Sequence, residues 1–326
     1  MCTAVTYQKT HFYFGRTLDY DMDFGEEVVI TPRNFPLLLR HSAPLESHYA
    51  IIGMAKVSAS YPLYFDAANE KGLAMAGLNF PDNAHYFPAQ KDGKDIASFE
   101  LIPYILSTCG SVDEAKQALK DVRITDTAFQ HALPPSPLHW LIADRHKAVT
   151  VESTADGLHI YDNPVGVLTN NPPFPHQLER LSDYLHISPH EPKNLLCPGL
   201  ELTPYSRGMG AMGLPGDLSS PSRFVRAAFT KLNSLSDDTE EACVSQFFHI
   251  LDSVSQAKGC CRLGDERQEI TLYSSCCSCD HGIYYYSTYE NRGVTAVSLF
   301  YADLDSKELI PYPLQKKLSI YQQHCE

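Results

Sequence analysis

Short runs of β-branched, aromatic and small apolar residues fill the first eighty positions. CTAVTY (2–7), HFYFG (11–15), EVVITP (27–32), YAIIGMA (49–55) and LAMAGLNF (73–80) are separated by turn-like clusters and read as strands. The period then changes. SFELIPYILSTC (98–109) and SVDEAKQALKDV (111–122) read as helices, the second opened by Ser111 with Glu114 three positions on, the pattern of a capping box. Strands return as LHWLIAD (138–144), AVTVEST (148–154) and GLHIYDN (157–163), the last two forming a hairpin through Ala155-Asp156-Gly157. Residues 188–220 lose periodicity and gain Pro and Gly, as expected of an excursion from the core. Two helices follow: 220–235, with Pro221 just inside a start marked by Ser220, and 239–257, with Val244, Phe247, Phe248 and Leu251 at helical spacing. The chain returns to strands at 268–275, 282–289 and 294–302.

Strands at both ends and helices between them, without β-α-β alternation, predict an α+β fold with largely antiparallel sheets and helices on their outer faces. No Pro- or Ser-rich linker and no internal repeat divides the sequence, so one domain over 1–326 is expected. At 326 residues, 44% hydrophobic and 20% charged, the chain has ordinary globular composition. A net charge of −13 argues against a nucleic-acid partner, which calls for a basic surface. No run of about 20 apolar residues would span a bilayer, and no basic region leads into an apolar one behind Met1. A cytoplasmic address without membrane partners is the expectation.

The ten cysteines invite a metal reading, since Cys276 and Cys279 have zinc-like spacing. That segment, however, reads as two strands around Asp280-His281-Gly282, where alternate cysteines face opposite sides. Reduced, mostly buried thiols are the better reading. GMGAMG (208–213) matches a dinucleotide fingerprint literally, yet no strand pattern precedes it and Pro215-Gly216 follow where the helix should run. No metal or cofactor is expected.

Cys2 offers chemistry of another kind. Methionine excision in front of a small residue would leave a thiol and a free α-amino group on one residue. The amine has a pKa of about 7.7–8.0 and a free thiol about 8.5, so one can serve the other as base near neutrality. A hairpin from CTAVTYQ back through HFYFGR would bring Arg16 near Cys2, and a neighbouring cation favours a thiolate. Asp19 could then hold the amino group.

MCTA at the start, FGRTLD at 14–19, GLNF at 77–80, LTNNP at 168–172 and SRF at 222–224 occur in an order and spacing that resemble the choloylglycine hydrolase family of N-terminal-nucleophile hydrolases, nearest its bile-salt-cleaving branch. The resemblance implies a four-layer αββα sandwich with two antiparallel sheets. It implies Cys2 as nucleophile, Arg16 and Asp19 as the pair tuning its thiol and amine, Asn79 and Asn171 as polar groups around the oxyanion and amine, and Arg223 as a further active-site arginine. Within TNNP either Asn170 or Asn171 could fill the role, and it is assigned to Asn171 rather than Asn170 because Asn171 directly precedes Pro172. The implied reaction is hydrolysis of the amide joining a bile acid to glycine or taurine, without cofactor, in an enzyme that often assembles as a homotetramer through the 188–220 excursion. A steroid needs a broad apolar pocket, and Leu18, Met22, Phe24, Phe65 and Leu133 are candidates to line it. Penicillin V or N-acyl homoserine lactone cleavage are the alternatives within the class. A catalytically silent small-molecule-binding protein is the alternative outside it, against which the intact Cys2, Arg16 and Asp19 argue.

Overall fold

The computed structural model describes residues 1–90, 94–264 and 266–323. The amino-terminal strands are β1 (Cys2–Gln8), β2 (Phe12–Tyr20), β3 (Glu27–Thr31), β4 (Ile51–Ser58), β5 (Tyr61–Asn69) and β6 (Ala74–Asn79). They are shared between two large sheets. One has six strands in the order Val167–Leu168, β1, β2, Ile270–Ser278, Ile283–Thr288, Thr295–Ser298. The other has eight: Gly157–Asp162, Ala148–Thr154, Leu138–Ala143, β6, β5, β4, β3, Ile310–Pro313. Neighbours in both sheets run antiparallel, whereas the small pair Lys94–Ala97 with Val122–Thr125 is parallel.

Helices cover the outer faces. α1 (Leu101–Thr108) and α2 (Val112–Leu119) bury Leu101, Ile105, Leu106, Val112 and Ala115 in one apolar cluster with Met75, Trp140 and Ile142 of the eight-stranded sheet. α3 (Phe174–Arg180) is short. α4 (Ser220–Asn233) and α5 (Glu240–Asp252) pack Phe224, Phe247 and Ile250 into the larger cluster, which also fills the space between the sheets. The αββα expectation thus corresponds to the observed layering. Removing any one of the fully buried phenylalanines would open a cavity costing about 3–5 kcal/mol.

Three local readings shift. Ser219, not Ser220, is the N-cap of α4, so Pro221 sits one place deeper in the first turn. At α2 the Ser111 hydroxyl accepts from the Glu114 amide at 3.3 Å, but the Glu114 carboxylate turns back to the Gly110 amide at 2.6 Å. β5 has no counterpart among the strands expected from the sequence. Pro62, Asp66 and Asn69 interrupt its apolar pattern; Asp66 is tolerated inside the sandwich because three hydroxyls from the other sheet satisfy it. Cys276, Cys277 and Cys279 are buried thiols, and burial pushes the thiols of Cys276 and Cys279 upward in pKa. Cys325 lies outside the described residues. The glycine-rich segment at 208–213 contains only a 3₁₀ turn, Met209–Ala211.

Candidate active site

Cys2 is the first residue of β1 and is 3% exposed. The β1–β2 hairpin sets its surroundings through register: Cys2 lies opposite Leu18, and Ala4 opposite Arg16. Alternation along a strand puts Cys2, Leu18, Ala4 and Arg16 on one face of the sheet, turned toward the interior of the sandwich. Gly15 makes the neighbouring approach possible. A Cβ there would sit 2.0 Å from the Ser275 carbonyl oxygen, so only glycine lets β2 and the 270–278 strand come this close. The Arg16 amide then reaches the Ser275 hydroxyl at 3.2 Å.

The Arg16 guanidinium is fully buried and crosses to the opposite sheet. Nη1 donates to the carbonyls of Gly77 (2.5 Å) and Phe65 (3.1 Å), and Nε to that of Thr17 (3.2 Å). Nη2 has no partner among the described residues. Its acceptors are neutral, so its charge is balanced only at longer range. Burial works against that charge, but Cys2, Tyr273, Asp66 and Asp19 outweigh it and hold the guanidinium above its usual pKa. Asp66 is the buried counter-charge, accepting from Tyr273 Oη (2.6 Å), Tyr284 Oη (2.6 Å) and Ser275 Oγ (2.9 Å). Burial nevertheless raises its carboxyl pKa.

Asp19 and Arg223 occupy the other face of the six-stranded sheet. Asp19 accepts from Thr271 Oγ1 (2.6 Å), Thr17 Oγ1 (3.1 Å) and Gln256 Nε2 (3.4 Å). A β-bulge between Thr271 and Tyr273 re-aims the strand at this point. Arg223, on the first turns of α4, donates through Nη1 to the Cys2 carbonyl (2.5 Å) and Thr3 Oγ1 (2.6 Å), and through Nη2 to Asn170 Oδ1 (2.7 Å). Its Nη1 lies 3.9 Å from Asp19 Oδ2. Burial lowers the Arg223 pKa, with Asp19, Cys2 and Glu269 opposing. The Met1 ammonium is held by the Asp19 carbonyl (2.5 Å) and by the Glu269 carboxylate.

The asparagine pair differs from expectation. Asn170, not Asn171, meets Cys2: its Oδ1 accepts from the Cys2 amide at 2.9 Å, while its Nδ2 donates to the Asn79 carbonyl at 2.7 Å. Asn171 donates to the Pro81 carbonyl at 2.7 Å. Proximity to Pro172 does not decide between them: the backbone bends at 170–172, and the Asn170 amide and carbonyl are fixed by Ser220 Oγ and Gln177 Nε2, which leaves its side chain toward Cys2. Asn79 closes the end of β6, half-buried, joined to the site through its backbone.

Of the apolar candidates, Leu18 is buried opposite Cys2, and Phe24 and Phe65 are half-buried with ring centroids 5.4 Å apart. The Phe65 carbonyl is also an Arg16 acceptor, which ties this aromatic pair to the site. Met22 is 57% exposed and Leu133 36% exposed, both in surface segments. Thr271, Gln256, Asp66 and Glu269 join the site without having been expected there, and Asn170 takes the place given to Asn171. Only Asn170 carries a local signal, its place in TNNP.

The described residues contain no group of three or more His, Cys, Asp or Glu side chains arranged to hold a metal ion, and no helix long and apolar enough to cross a membrane. Residues 2–312 match the model of linear amide C–N hydrolases, choloylglycine hydrolase family. The chain is 53% identical over 321 residues to a bile salt hydrolase/transferase of Lactiplantibacillus plantarum, covering 98% of this chain and 99% of that one. It superimposes on a mutant conjugated bile acid hydrolase from Clostridium perfringens with a TM-score of 0.92 at 34% identity, over 99% of this chain and 100% of that one. A penicillin V acylase from Agrobacterium tumefaciens shares the fold, with a TM-score of 0.76 at 20% identity over 96% of this chain and 91% of that one. With a cysteine at the head of β1 and buried arginines on both faces of its sheet, the chain belongs to the choloylglycine hydrolase family of linear amide C–N hydrolases.

Proposed function

We propose that the protein hydrolyses the amide bond of glycine- or taurine-conjugated bile salts, with Cys2 as nucleophile. The observation that carries this reading is a buried cysteine at the start of a strand, its carbonyl held by Arg223 and its amide by Asn170, with Arg16 on the same face of its hairpin. The names of the relatives supply the substrate class.

With Met1 removed, the Cys2 nitrogen becomes a primary amine that keeps Asn170 Oδ1 as acceptor. That amine takes the thiol proton as Sγ attacks the amide carbonyl carbon, and a tetrahedral oxyanion forms. The Asn79 side chain is the proposed oxyanion donor; one such donor is typically worth about 2.7–4 kcal/mol. The C–N bond then breaks as the ammonium returns its proton to the departing glycine or taurine nitrogen. Water attacks the thioester, freeing the bile acid and the thiol. Asp19 orients the amine, and Arg16 stabilises the thiolate. Arg223 fixes the Cys2 backbone and Asn170 together. Leu18, Phe24 and Phe65 form the inner wall of the proposed steroid pocket, with Met22 and Leu133 at its rim. Glycine or taurine released from conjugated bile salts, compared with side-chain acid released from penicillin V, tests the substrate class. Faster turnover of penicillin V would reassign it.

Retained Met1 would turn the catalytic amine into an amide without useful basicity. Active protein is therefore expected to show the intact mass of the chain lacking Met1. Full activity in protein that keeps Met1 would contradict the amine as base.

We read the chain as one domain, cytoplasmic, assembling as a homotetramer. Leu195, Leu196, Leu200, Leu202 and Tyr205 are exposed in the 188–220 excursion, and such a segment gains by packing on another copy. Light scattering at micromolar concentration is expected to give four times the chain mass; a monomer would reject the assembly.

A further inference from the structure

The proposed mechanism leaves one buried polar pair without a task. His139 and Glu152 stand on adjacent strands of the eight-stranded sheet, and both are fully buried. His139 Nδ1 lies 3.0 Å from Glu152 Oε1, and His139 Nε2 donates to the Thr169 carbonyl at 2.9 Å. The same Glu152 oxygen accepts from the Phe174 amide at 3.0 Å. The pair therefore grips the segment 169–174 at both ends, and that segment carries Asn170 and Asn171.

A second contact links the pair to Asn79. The Phe80 ring stacks on the His139 imidazole with centroids 4.2 Å apart and planes within 4°. Phe80 immediately follows Asn79, whose carbonyl accepts from Asn170. Gln177 completes the hold from α3: its Nε2 donates to the carbonyls of Asn170 and, at 2.9 Å, of Pro172, and its Oε1 accepts from Thr169 Oγ1 at 2.7 Å. Stability alone gives little reason for the pair. Buried polar pairs of this kind are often no better than apolar packing of the same volume, and Glu152 Oε2 has no partner among the described residues.

We infer that His139 and Glu152 are positioning residues: together they clamp the 169–174 segment so that Asn170 meets the Cys2 nitrogen and Asn79 keeps its place beside it. Neither touches the reacting atoms. The inference rests on the proposed hydrolysis for its kinetic consequence, but not for its structural one.

His139→Gln, Glu152→Gln and the double variant test it. Displacement of a positioned group by about 1 Å can cost up to 10²-fold in rate, so kcat for conjugated bile salts should fall by about tenfold or more in each single variant, with KM within about twofold of wild type. The double variant should be no slower than the worse single one, because the two residues act as a unit. Ile105→Ala, in the outer core on α1, controls for lost stability: it should lower the unfolding midpoint and leave kcat unchanged. Hydrogen exchange at the Phe174 amide gives a readout independent of activity. It should quicken in both single variants and not in Ile105→Ala. Unchanged exchange at Phe174, or additive kcat losses in the double variant, would overturn the clamp. Wild-type protein that releases no amine from bile salts would instead defeat the proposed hydrolysis, and the exchange data would still decide the clamp.

Discussion

Cys2→Ser is expected to fold normally and to lose nearly all turnover, with kcat/KM falling by roughly 10³ or more. A hydroxyl in place of the thiol keeps the β1 register and almost the same volume. Its proton is far harder to remove at neutral pH, and an amine with a pKa near 8 cannot supply the missing driving force. The other buried thiols provide the comparison. Cys276 and Cys277 stand in the 270–278 strand, apart from the Cys2–Asn170–Arg223 contacts, and burial pushes the Cys276 thiol toward its neutral form. Cys276→Ser and Cys277→Ser should therefore retain turnover. Loss of activity in either of these, with activity kept in Cys2→Ser, would place the site elsewhere.

Arg16→Gln is expected to move the acidic limb of the kcat/KM profile to higher pH. Arg16 shares the inner face of the β1–β2 hairpin with Cys2, and a cation beside a thiol favours the thiolate. Without the charge, the thiol keeps its proton to higher pH, so the fraction of competent enzyme falls on the acidic side first. Each unit of displacement corresponds to about 1.36 kcal/mol. Glutamine cannot reach both the Gly77 and Phe65 carbonyls, so the unfolding midpoint should drop as well, by an amount consistent with about 1–3 kcal/mol for an unsatisfied buried group. The two measurements separate the roles. A lowered midpoint with an unmoved limb would make Arg16 a brace between the sheets and nothing more.

The parts of this site that lie close together along the chain are legible in the sequence. The β1–β2 hairpin follows from two apolar runs and the turn at 9–11, and once the hairpin exists, register alone carries Arg16 to the face of Cys2. The helices α2, α4 and α5 are legible from caps and period, to within a few residues at their ends. What escapes is set by contacts between distant segments. β5 carries an aspartate whose burial makes sense only when Tyr273, Tyr284 and Ser275 arrive from the other sheet. Thr271 reaches Asp19 because a bulge displaces its strand, and no local composition marks that bulge. Asn170 and Asn171 are chemically identical neighbours. Which of them faces Cys2 depends on how the 169–174 segment is anchored, by the distant side chains of His139 and Glu152.

Partitioning of the product in the presence of hydroxylamine asks whether the bile acid passes through a thioester on Cys2. The mature protein is given a taurine-conjugated bile salt, and released taurine, free bile acid and bile acid hydroxamate are measured as hydroxylamine is raised. Taurine release should continue while hydroxamate replaces free acid in proportion to the nucleophile, and both products should vanish in Cys2→Ser. Taurine release accompanied only by free acid at every hydroxylamine concentration, or undiminished in Cys2→Ser, would contradict the thioester on Cys2.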